Sequence, residues 1–198
     1  MKLYMTAGAC SLADHIALIE ADLAFETVEV DIPTRTTKSG EDYAAVNAKG
    51  YVPALVMDDD ALLTENVAIL SWIAEQADHL RPQTPMERTR LIEMLAFIEA
   101  EIHKPFIRVF FSPHEDSKTH ERQSVERRFD YIAERLTDDF LFGKQFGVAD
   151  AFLYVMLRWA HMTDTESPVA LQEYMGRVER QASVKRALEA EDLKAEAA

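Results

Sequence analysis

The pattern of apolar residues changes at a proline-containing segment, His79–Pro85, and this change divides the chain into two architectures. The segment holds two prolines three residues apart, which end one helix and precede the next. Before it, short strand-like runs alternate with helical runs, and after it no convincing strand pattern occurs. The sequence therefore predicts an α/β domain over residues 1–78 and an all-helical domain over residues 86–198.

The first half has the pattern of a strand–helix–strand unit followed by a hairpin. A helical run between two short β-forming runs predicts a parallel pair of strands, because parallel strands need a crossover connection. Ser11 is placed to cap this helix, with Asp14 at its third position as in a capping box. The predicted strands are Lys2–Met5, Thr27–Asp31, Val52–Met57 and Ala61–Leu63, and the predicted helices are Ser11–Ala21, Thr64–Ala77 and a short one within 32–50.

The second half has the pattern of a helical bundle. Val148–Met162 is nearly all apolar, as expected of a central helix that is buried all round. Pro105 is expected to kink or break the first long helix. The predicted helices are Met86–Phe111, Thr119–Leu141, Val148–Met162, Leu171–Gly176 and Ser183–Leu188.

Charge and hydropathy limit the function of the chain. Its 198 residues carry a formal charge of −14, which argues against nucleic-acid binding because that function needs a basic surface. No apolar run approaches the ~20 residues of a membrane-spanning helix, and the N-terminus lacks the pattern of a signal peptide. We therefore expect a cytoplasmic protein without a membrane partner, in which a local basic cluster holds any anionic ligand.

The chain has one cysteine, Cys10, between the first predicted strand and the first predicted helix. A lone cysteine is usually a small, buried apolar residue. At a helix N-terminus, however, the unpaired N–H groups and the helix dipole stabilise a thiolate and lower the thiol pKa. Ala13 stands where a Cys-x-x-Cys motif has its second cysteine. This excludes a dithiol cycle and favours chemistry on an external thiol.

Three further features have both a structural and a functional interpretation. Val52-Pro53 is either an edge-strand proline or a cis bond that exposes the Val52 backbone to a ligand. Glu65 is either an acidic residue in the first turn of a helix capped by Thr64, or a partner for a ligand ammonium group. His103, taken alone, is more often structural than catalytic. The histidine spacings predict no metal site.

Several segments, in order along the whole chain, resemble the bacterial beta-class glutathione S-transferases. The segments are Ala7–Leu12, Gly50–Leu55, Leu63–Ile69, Glu101–Lys104, Phe146–Phe152 and Leu157–Ala160. Each is weak evidence alone, and together they are specific. The resemblance implies an N-terminal thioredoxin-like domain and a C-terminal helical bundle, with glutathione as cosubstrate and a homodimer as the assembly.

The resemblance also implies which residues form the site. Cys10 would lie against the glutathione sulfur, with Ser11 and His103 as further catalytic residues. Val52 would pair with the cysteinyl backbone of glutathione as an added strand does, and Pro53 would be cis. The other residues implied in glutathione binding are Arg35, Tyr51, Glu65, Asn66, His103 and Lys104, with Lys49 as a further cation for its carboxylates.

The chain departs from the family pattern in four places. Arg35 stands where lysine is frequent, and Asn66 stands where a small residue is usual, although a backbone contact at that position would survive. Gly147 replaces the serine or threonine that caps the buried helix. Asp150 remains as half of a capping box, so we expect a helix start weakened by up to ~1 kcal/mol. The stretch Gln76–Pro85 is shorter than usual.

The activity that the resemblance implies is transfer of the glutathione thiolate to an electrophilic carbon of a hydrophobic compound, EC 2.5.1.18. One alternative is a glutathione-dependent disulfide reductase or peroxidase that forms a mixed disulfide on Cys10. Another is a non-catalytic binding protein of the same fold. Phe106, Phe110 and Trp159 would either contact the electrophile or belong to the core.

Overall fold

A five-stranded mixed sheet forms the first half of the protein. The structure, a computed structural model, describes residues 1–196. The strands are β1 (Lys2–Met5), β2 (Glu26–Asp31), β3 (Thr36–Thr37), β4 (Ala54–Val56) and β5 (Leu62–Thr64). They lie in the order β3-β2-β1-β4-β5. Strands β1 and β2 are parallel, whereas the β1–β4, β2–β3 and β4–β5 pairs are antiparallel.

Two helices, α1 (Ser11–Glu20) and α2 (Asn66–Gln76), accompany this sheet. Helix α1 is the crossover between β1 and β2, which confirms the predicted parallel pair, and the predicted hairpin is β4–β5. The short helix predicted within 32–50 is a single 3₁₀ turn, Tyr43–Ala45. Strand β3 was not predicted, because two polar threonines carry no readable alternation.

Six helices lie within residues 85–190, in the described part of the second half. They are α3 (Pro85–Ile98), α4 (Lys104–Phe111), α5 (Glu115–Ala133), α6 (Val148–Met162), α7 (Val169–Val178) and α8 (Ala182–Ala190). Helix α6 is buried continuously from Val148 to Ala160 and contacts α1, α2, α3 and α7, as predicted for a central helix. One hydrophobic core runs through both halves.

The long helix predicted from Met86 to Phe111 is interrupted, as Pro105 indicated. Residues Glu99–His103 form a π-helical turn between α3 and α4, in which the Lys104 N–H donates to the carbonyl of Glu99, five residues earlier. Proline lacks an N–H and its ring clashes with the carbonyl four residues before it, so a widened turn accommodates Pro105. The turn brings the side chains of Glu99, His103 and Lys104 together.

Helix α5 differs from its prediction at both ends. It begins at Glu115 rather than Thr119, with Glu115 and Asp116 in its first turn, where acidic residues complement the helix dipole. It ends at Ala133 rather than Leu141. Leu136 and Phe140 continue the apolar period, but they pack on the core from an irregular segment.

Asp150 organises the start of α6, as predicted from its place in the capping box. Its Oδ2 accepts from the Gly147 N–H at 2.9 Å, and Gly147 has no side chain to complete the box. Its Oδ1 accepts from the Leu141 N–H at 2.8 Å and from the Tyr174 hydroxyl at 2.7 Å. The carboxyl therefore joins the helix start to the preceding loop and to α7.

The connection between the two halves lies where the prolines indicated. Helix α2 ends at Gln76, and α3 begins at Pro85 behind a capping box made by Thr84 and Glu87. The domain limits 1–78 and 86–198 stay a prediction, and the last two residues lie outside the described part of the chain. Among residues 1–196, no helix combines the length and apolar character needed to cross a membrane.

Candidate functional site

Cys10 lies where β1 passes into α1 and occupies the N-cap position of that helix. Its side chain is buried, and its sulfur is 3.6 Å from the carbonyl oxygen of Val52, to which the thiol can donate. The Val52–Pro53 peptide bond is cis, as expected. The structure thus brings together the sulfur and the backbone that the resemblance places around the cysteinyl unit of glutathione.

The predicted low pKa of the Cys10 thiol is wrong. Burial raises the pKa of this thiol far above its ordinary value, and the carboxyls of Asp14 and Glu99 raise it further. The Lys104 ammonium lowers the pKa but is outweighed. The helix N-terminus alone suggested a thiolate, whereas the surroundings of the sulfur favour the uncharged thiol.

Ser11 does not cap α1, contrary to the prediction. It is the first residue inside the helix and is fully buried. Its hydroxyl accepts from the Thr6 N–H at 3.2 Å and donates to the Thr6 carbonyl at 3.3 Å, so it is engaged within the β1–α1 loop. Asp14 does not complete a capping box either, because its Oδ2 accepts from Asn66 Nδ2 at 2.7 Å.

The loop before Cys10 is held by the helical half, which the sequence analysis missed. The Gly8 N–H donates to Glu191 Oε2 at 2.9 Å, and the Gly8 carbonyl accepts from Trp159 Nε1 at 2.9 Å. Glu191 is buried, and its Oε1 lies 2.8 Å from His15 Nδ1. No local pattern could have shown this contact, because 183 positions separate Gly8 from Glu191.

The N-terminus of α2 faces the start of α1. Asn66 Nδ2 donates to the Cys10 carbonyl at 3.0 Å as well as to Asp14. Glu65, rather than Thr64, occupies the N-cap position of α2, with a φ of 75°. A non-glycine residue in this left-handed region costs on the order of 1 kcal/mol or more, and such conformations cluster at functional sites.

Glu65 contacts two of the predicted site residues, Lys49 and Tyr51. Its carboxylate accepts from the Tyr51 hydroxyl at 2.7 Å and is paired with the Lys49 ammonium. The hydrogen bond from Lys49, followed by that from Tyr51, lowers the pKa of Glu65 against the opposing effect of burial. This exposed edge of the site therefore carries an ionised carboxylate beside a cation.

Arg35, in the β2–β3 connection, approaches Gly50 in the loop before the cis peptide bond. A Cβ at position 50 would lie 3.0 Å from Arg35 Nε, and Gly50 has a φ of 74°, so both the contact and the backbone favour glycine there. The approach places the Arg35 side chain one residue from Tyr51, on the side of the site where the resemblance implied a cation.

The π turn supplies the residues of the helical half. Lys104 Nζ and His103 Nδ1 each lie 3.0 Å from a carboxylate oxygen of Glu99. Burial opposes ionisation of Glu99, but His103 and Lys104 together hold its pKa below the ordinary value. Nδ1 of His103 faces the Glu99 carboxylate, whereas within residues 1–196 its Nε2 is buried and has no hydrogen-bond partner.

The aromatic residues divide between core and surface. Phe106 and Trp159 are buried and pack edge to face, with ring centroids 6.1 Å apart. Phe110 is half-buried against Trp159, with centroids 5.2 Å apart, and Phe111, which the sequence analysis did not single out, is 78% exposed. The end of α4 therefore carries an exposed apolar side chain beside the packed rings of Phe110 and Trp159.

Both halves of the chain match known domains. Residues 9–76 match the glutathione S-transferase N-terminal domain, and residues 115–177 match the glutathione S-transferase C-terminal domain. Glutathione S-transferase GstA of Escherichia coli O157:H7 is 39% identical over 201 residues, which cover 98% of this chain and all of the relative. The chain belongs to the glutathione S-transferase family.

Solved structures of bacterial glutathione S-transferases are as similar in sequence to this chain as GstA is. A sphingomonad glutathione S-transferase complexed with glutathione superposes with a TM-score of 0.92 at 39% identity, and the beta-class enzyme of Sphingomonas chungbukensis with a TM-score of 0.91 at 39% identity. Each match covers 98% of this chain and 100% of the other. The predicted fold, the bacterial glutathione S-transferase assignment and the enzyme class EC 2.5.1.18 are confirmed.

Within residues 1–196, no group of three or more His, Cys, Asp or Glu side chains is arranged to hold a metal ion.

Proposed function

We propose that glutathione binds between the two halves of the chain, along residues 51–53 and the N-terminus of α2. Val52 pairs with the cysteinyl unit through its backbone, as an added strand does. The start of α2 suits the γ-glutamyl carboxylate, and the Glu65 carboxylate suits the adjacent ammonium. Arg35, Lys49 and Lys104 supply the positive charge that a dianionic part of the ligand needs in a protein of net charge −14.

One observation carries this proposal. The sulfur of Cys10 and the carbonyl of Val52 lie 3.6 Å apart, although 42 positions separate them in the chain. A peptide paired with Val52 would therefore present its own cysteine beside Cys10 and the N-terminus of α1. The similarity to a sphingomonad enzyme complexed with glutathione supports the same placement.

The proposed reaction is a displacement or addition by the glutathione sulfur. The thiol loses its proton, the sulfur attacks an electrophilic carbon, and a C–S bond forms as a leaving group departs with its electron pair or electrons move onto the acceptor. His103 is the proposed proton acceptor or hydrogen-bond donor, because its Nε2 has no hydrogen-bond partner in the described residues while Nδ1 faces Glu99. In the proposed complex the Cys10 S–H turns from the Val52 carbonyl to the glutathione sulfur, and Ser11 acts only by shaping the loop.

The second substrate is a hydrophobic electrophile, which would lie on Phe110 and Phe111 at the end of α4. The proposed assembly is a homodimer in the cytoplasm, and the proposed chemistry needs no metal. The identity of the electrophile depends on side chains that differ between enzymes of one fold.

Replacing Glu65 with alanine is expected to raise the KM for glutathione about tenfold and to change kcat little. The change removes binding that is the same in the ground and transition states, worth about 1.4 kcal/mol. Conjugation of 1-chloro-2,4-dinitrobenzene and titration calorimetry with glutathione measure the effect. Glu93→Ala, an exposed position on α3, is the matched control. An unchanged affinity would contradict the placement of the γ-glutamyl end, and no binding by the unmodified protein would favour a non-catalytic role.

Replacing Cys10 with alanine is expected to leave the conjugation rate within about fivefold, because the nucleophile is the glutathione sulfur and one neutral hydrogen bond is worth about 1 kcal/mol or less here. The measurement is kcat/KM for glutathione with the same aryl chloride. A loss of a hundredfold would instead make the Cys10 sulfur essential. Loss of disulfide reduction with conjugation kept would show that Cys10 serves a second, reductive activity.

A further inference from the structure

Arg158, on the central helix α6, is a buried cation that has no role in the contacts proposed above. Its Nη1 donates to the Lys194 carbonyl at 2.7 Å and to the Tyr154 hydroxyl at 3.2 Å, and its Nη2 donates to Glu196 Oε1 at 3.2 Å. The planar guanidinium therefore holds the segment after α8 by a backbone group and by a side chain. A buried charge needs such partners, so these contacts fix both the arginine and the segment.

The chain changes direction at the end of α8. Asp192 has a φ of 54°, the Leu193 N–H donates to the Leu188 carbonyl at 2.8 Å, and the Asp192 N–H donates to the Glu189 carbonyl at 3.2 Å. These are the two hydrogen bonds of a Schellman motif, which ends a helix with one residue in the left-handed region. Residues 191–196, here called the return segment, leave the helix through this motif.

The return segment contacts the loop before the thiol at Gly8. Glu191 Oε2 accepts from the Gly8 N–H at 2.9 Å, and a Cβ at position 8 would lie 3.8 Å from Leu193 Cδ2, so the leucine packs directly on this glycine. Trp159, the next residue of α6 after the arginine, donates to the Gly8 carbonyl at 2.9 Å. Helix α6 thus holds the loop directly through the tryptophan and, through the arginine, by way of the return segment.

The far end of the return segment belongs to a buried polar network. Glu179 Oε1 accepts from the Tyr154 hydroxyl at 3.0 Å and from the Glu196 N–H at 2.8 Å. The same tyrosine oxygen accepts from Arg158, so one guanidinium joins the tyrosine to two groups of the return segment. Loss of one member of such a network weakens the remaining hydrogen bonds as well.

We propose that Arg158 is a positioning residue that fixes the return segment, which in turn fixes the loop carrying Cys10 and the start of α1. Without the guanidinium, the return segment opens locally, and Glu191 and Leu193 hold Gly8 less firmly. Displacement of this loop moves the start of α1 away from the place proposed for the glutathione sulfur. The effect on transfer rests on the proposed function, whereas the coupling from Arg158 to the loop does not.

Hydrogen exchange read by mass spectrometry tests the coupling without glutathione. We expect Arg158→Met, which keeps an apolar side chain of similar length, to raise the exchange rate about tenfold in peptides covering residues 6–12 and the return segment. Peptides from α5 should exchange as in the unmodified protein. Arg158→Lys keeps the charge but not the planar fork, so its effect should be intermediate. Arg186→Met, which removes an exposed arginine from α8, is the matched control. Glu196→Ala removes an exposed partner of Arg158 and should show a smaller effect in the same peptides, and circular dichroism identifies folded protein.

Transfer to 1-chloro-2,4-dinitrobenzene gives the second readout. In folded Arg158→Met we expect kcat to fall about fivefold with little change in the KM for glutathione. Glu65 and Lys49, which are proposed to bind the ligand, lie outside the loop, so ground-state binding is kept while orientation is lost.

Each outcome decides the proposal. Faster exchange in residues 6–12 and in the return segment, together with the lower kcat, supports it. Faster exchange in the return segment alone, a uniform increase in all peptides, or no change in either peptide overturns it. Faster exchange in both peptides with an unchanged kcat overturns the positioning role. An unmodified protein that does not bind glutathione, combined with the exchange effect, would overturn the proposed function and leave the coupling standing.

Discussion

Replacing Asp150 with alanine is expected to lower the free energy of unfolding by about 3 kcal/mol at pH 7. The change leaves the Gly147 N–H, the Leu141 N–H and the Tyr174 hydroxyl without their acceptor. A buried donor left unpaired costs about 1–3 kcal/mol. Removal of a buried charge recovers part of this cost, so the net loss is smaller than the sum. Thermal or urea unfolding followed by circular dichroism measures it.

The control for this prediction is Asp130→Ala, which removes an exposed carboxylate from α5. A surface substitution of this kind changes stability by about 0.5 kcal/mol or less. If the two variants unfolded alike, the start of α6 would not depend on the carboxyl of Asp150.

The contribution of Asp150 to stability also depends on pH, with a sign that follows from its environment. Burial outweighs its hydrogen bonds and raises the pKa of Asp150 to about 6 in the folded protein. Because the folded state then holds the proton more tightly than the unfolded chain, the resulting stability is full below the unfolded pKa and is lost as the pH rises through about 6. The difference between the unmodified protein and Asp150→Ala should therefore grow by about 1 kcal/mol from pH 7 to pH 5.

The elements that the sequence predicted well are those with a local cause. The bounds of α6 follow from a long apolar run that begins directly after Gly147, and the break near Pro105 follows from the missing N–H of proline. The parallel β1–β2 pair follows from the intervening helix. In contrast, the end of α5 could not be predicted from periodicity, because Leu136 and Phe140 keep the apolar period outside the helix.

The chemistry of Cys10 could not be read from its neighbours in the chain. Its position at a helix N-terminus was predicted correctly, and that feature alone predicts a lowered thiol pKa. The pKa of the Cys10 thiol is instead raised, by burial and by Glu99, which the packing of the π turn brings near Cys10. Asp14 is near in sequence, but Asn66 determines where its carboxyl lies. The local sequence therefore predicts where Cys10 lies, whereas residues distant in the chain determine its protonation.

Replacing Glu191 with alanine is expected to lower the free energy of unfolding by about 3–5 kcal/mol, the usual cost of removing one partner from a buried ion pair or hydrogen-bonded network. The carboxylate is shared between His15 Nδ1 and the Gly8 N–H, and both groups would be left without their acceptor. Urea unfolding measures the loss. The exposed Glu189→Ala, two residues earlier, is the matched control.

The same change is expected to lower kcat/KM for glutathione about tenfold in protein that remains folded. Glu191 and Trp159 hold the two backbone groups of Gly8, so without Glu191 the loop that positions Cys10 and the start of α1 is held from one side only. Small displacements of groups that orient a substrate are costly in catalysis. Glu191→Gln retains an acceptor for the Gly8 N–H and should recover part of the activity even where stability stays low. Equal activity losses in Glu191→Gln and Glu191→Ala would contradict this explanation. They would show that activity depends on the charge of the Glu191 carboxylate and not on its hydrogen bond with the Gly8 N–H.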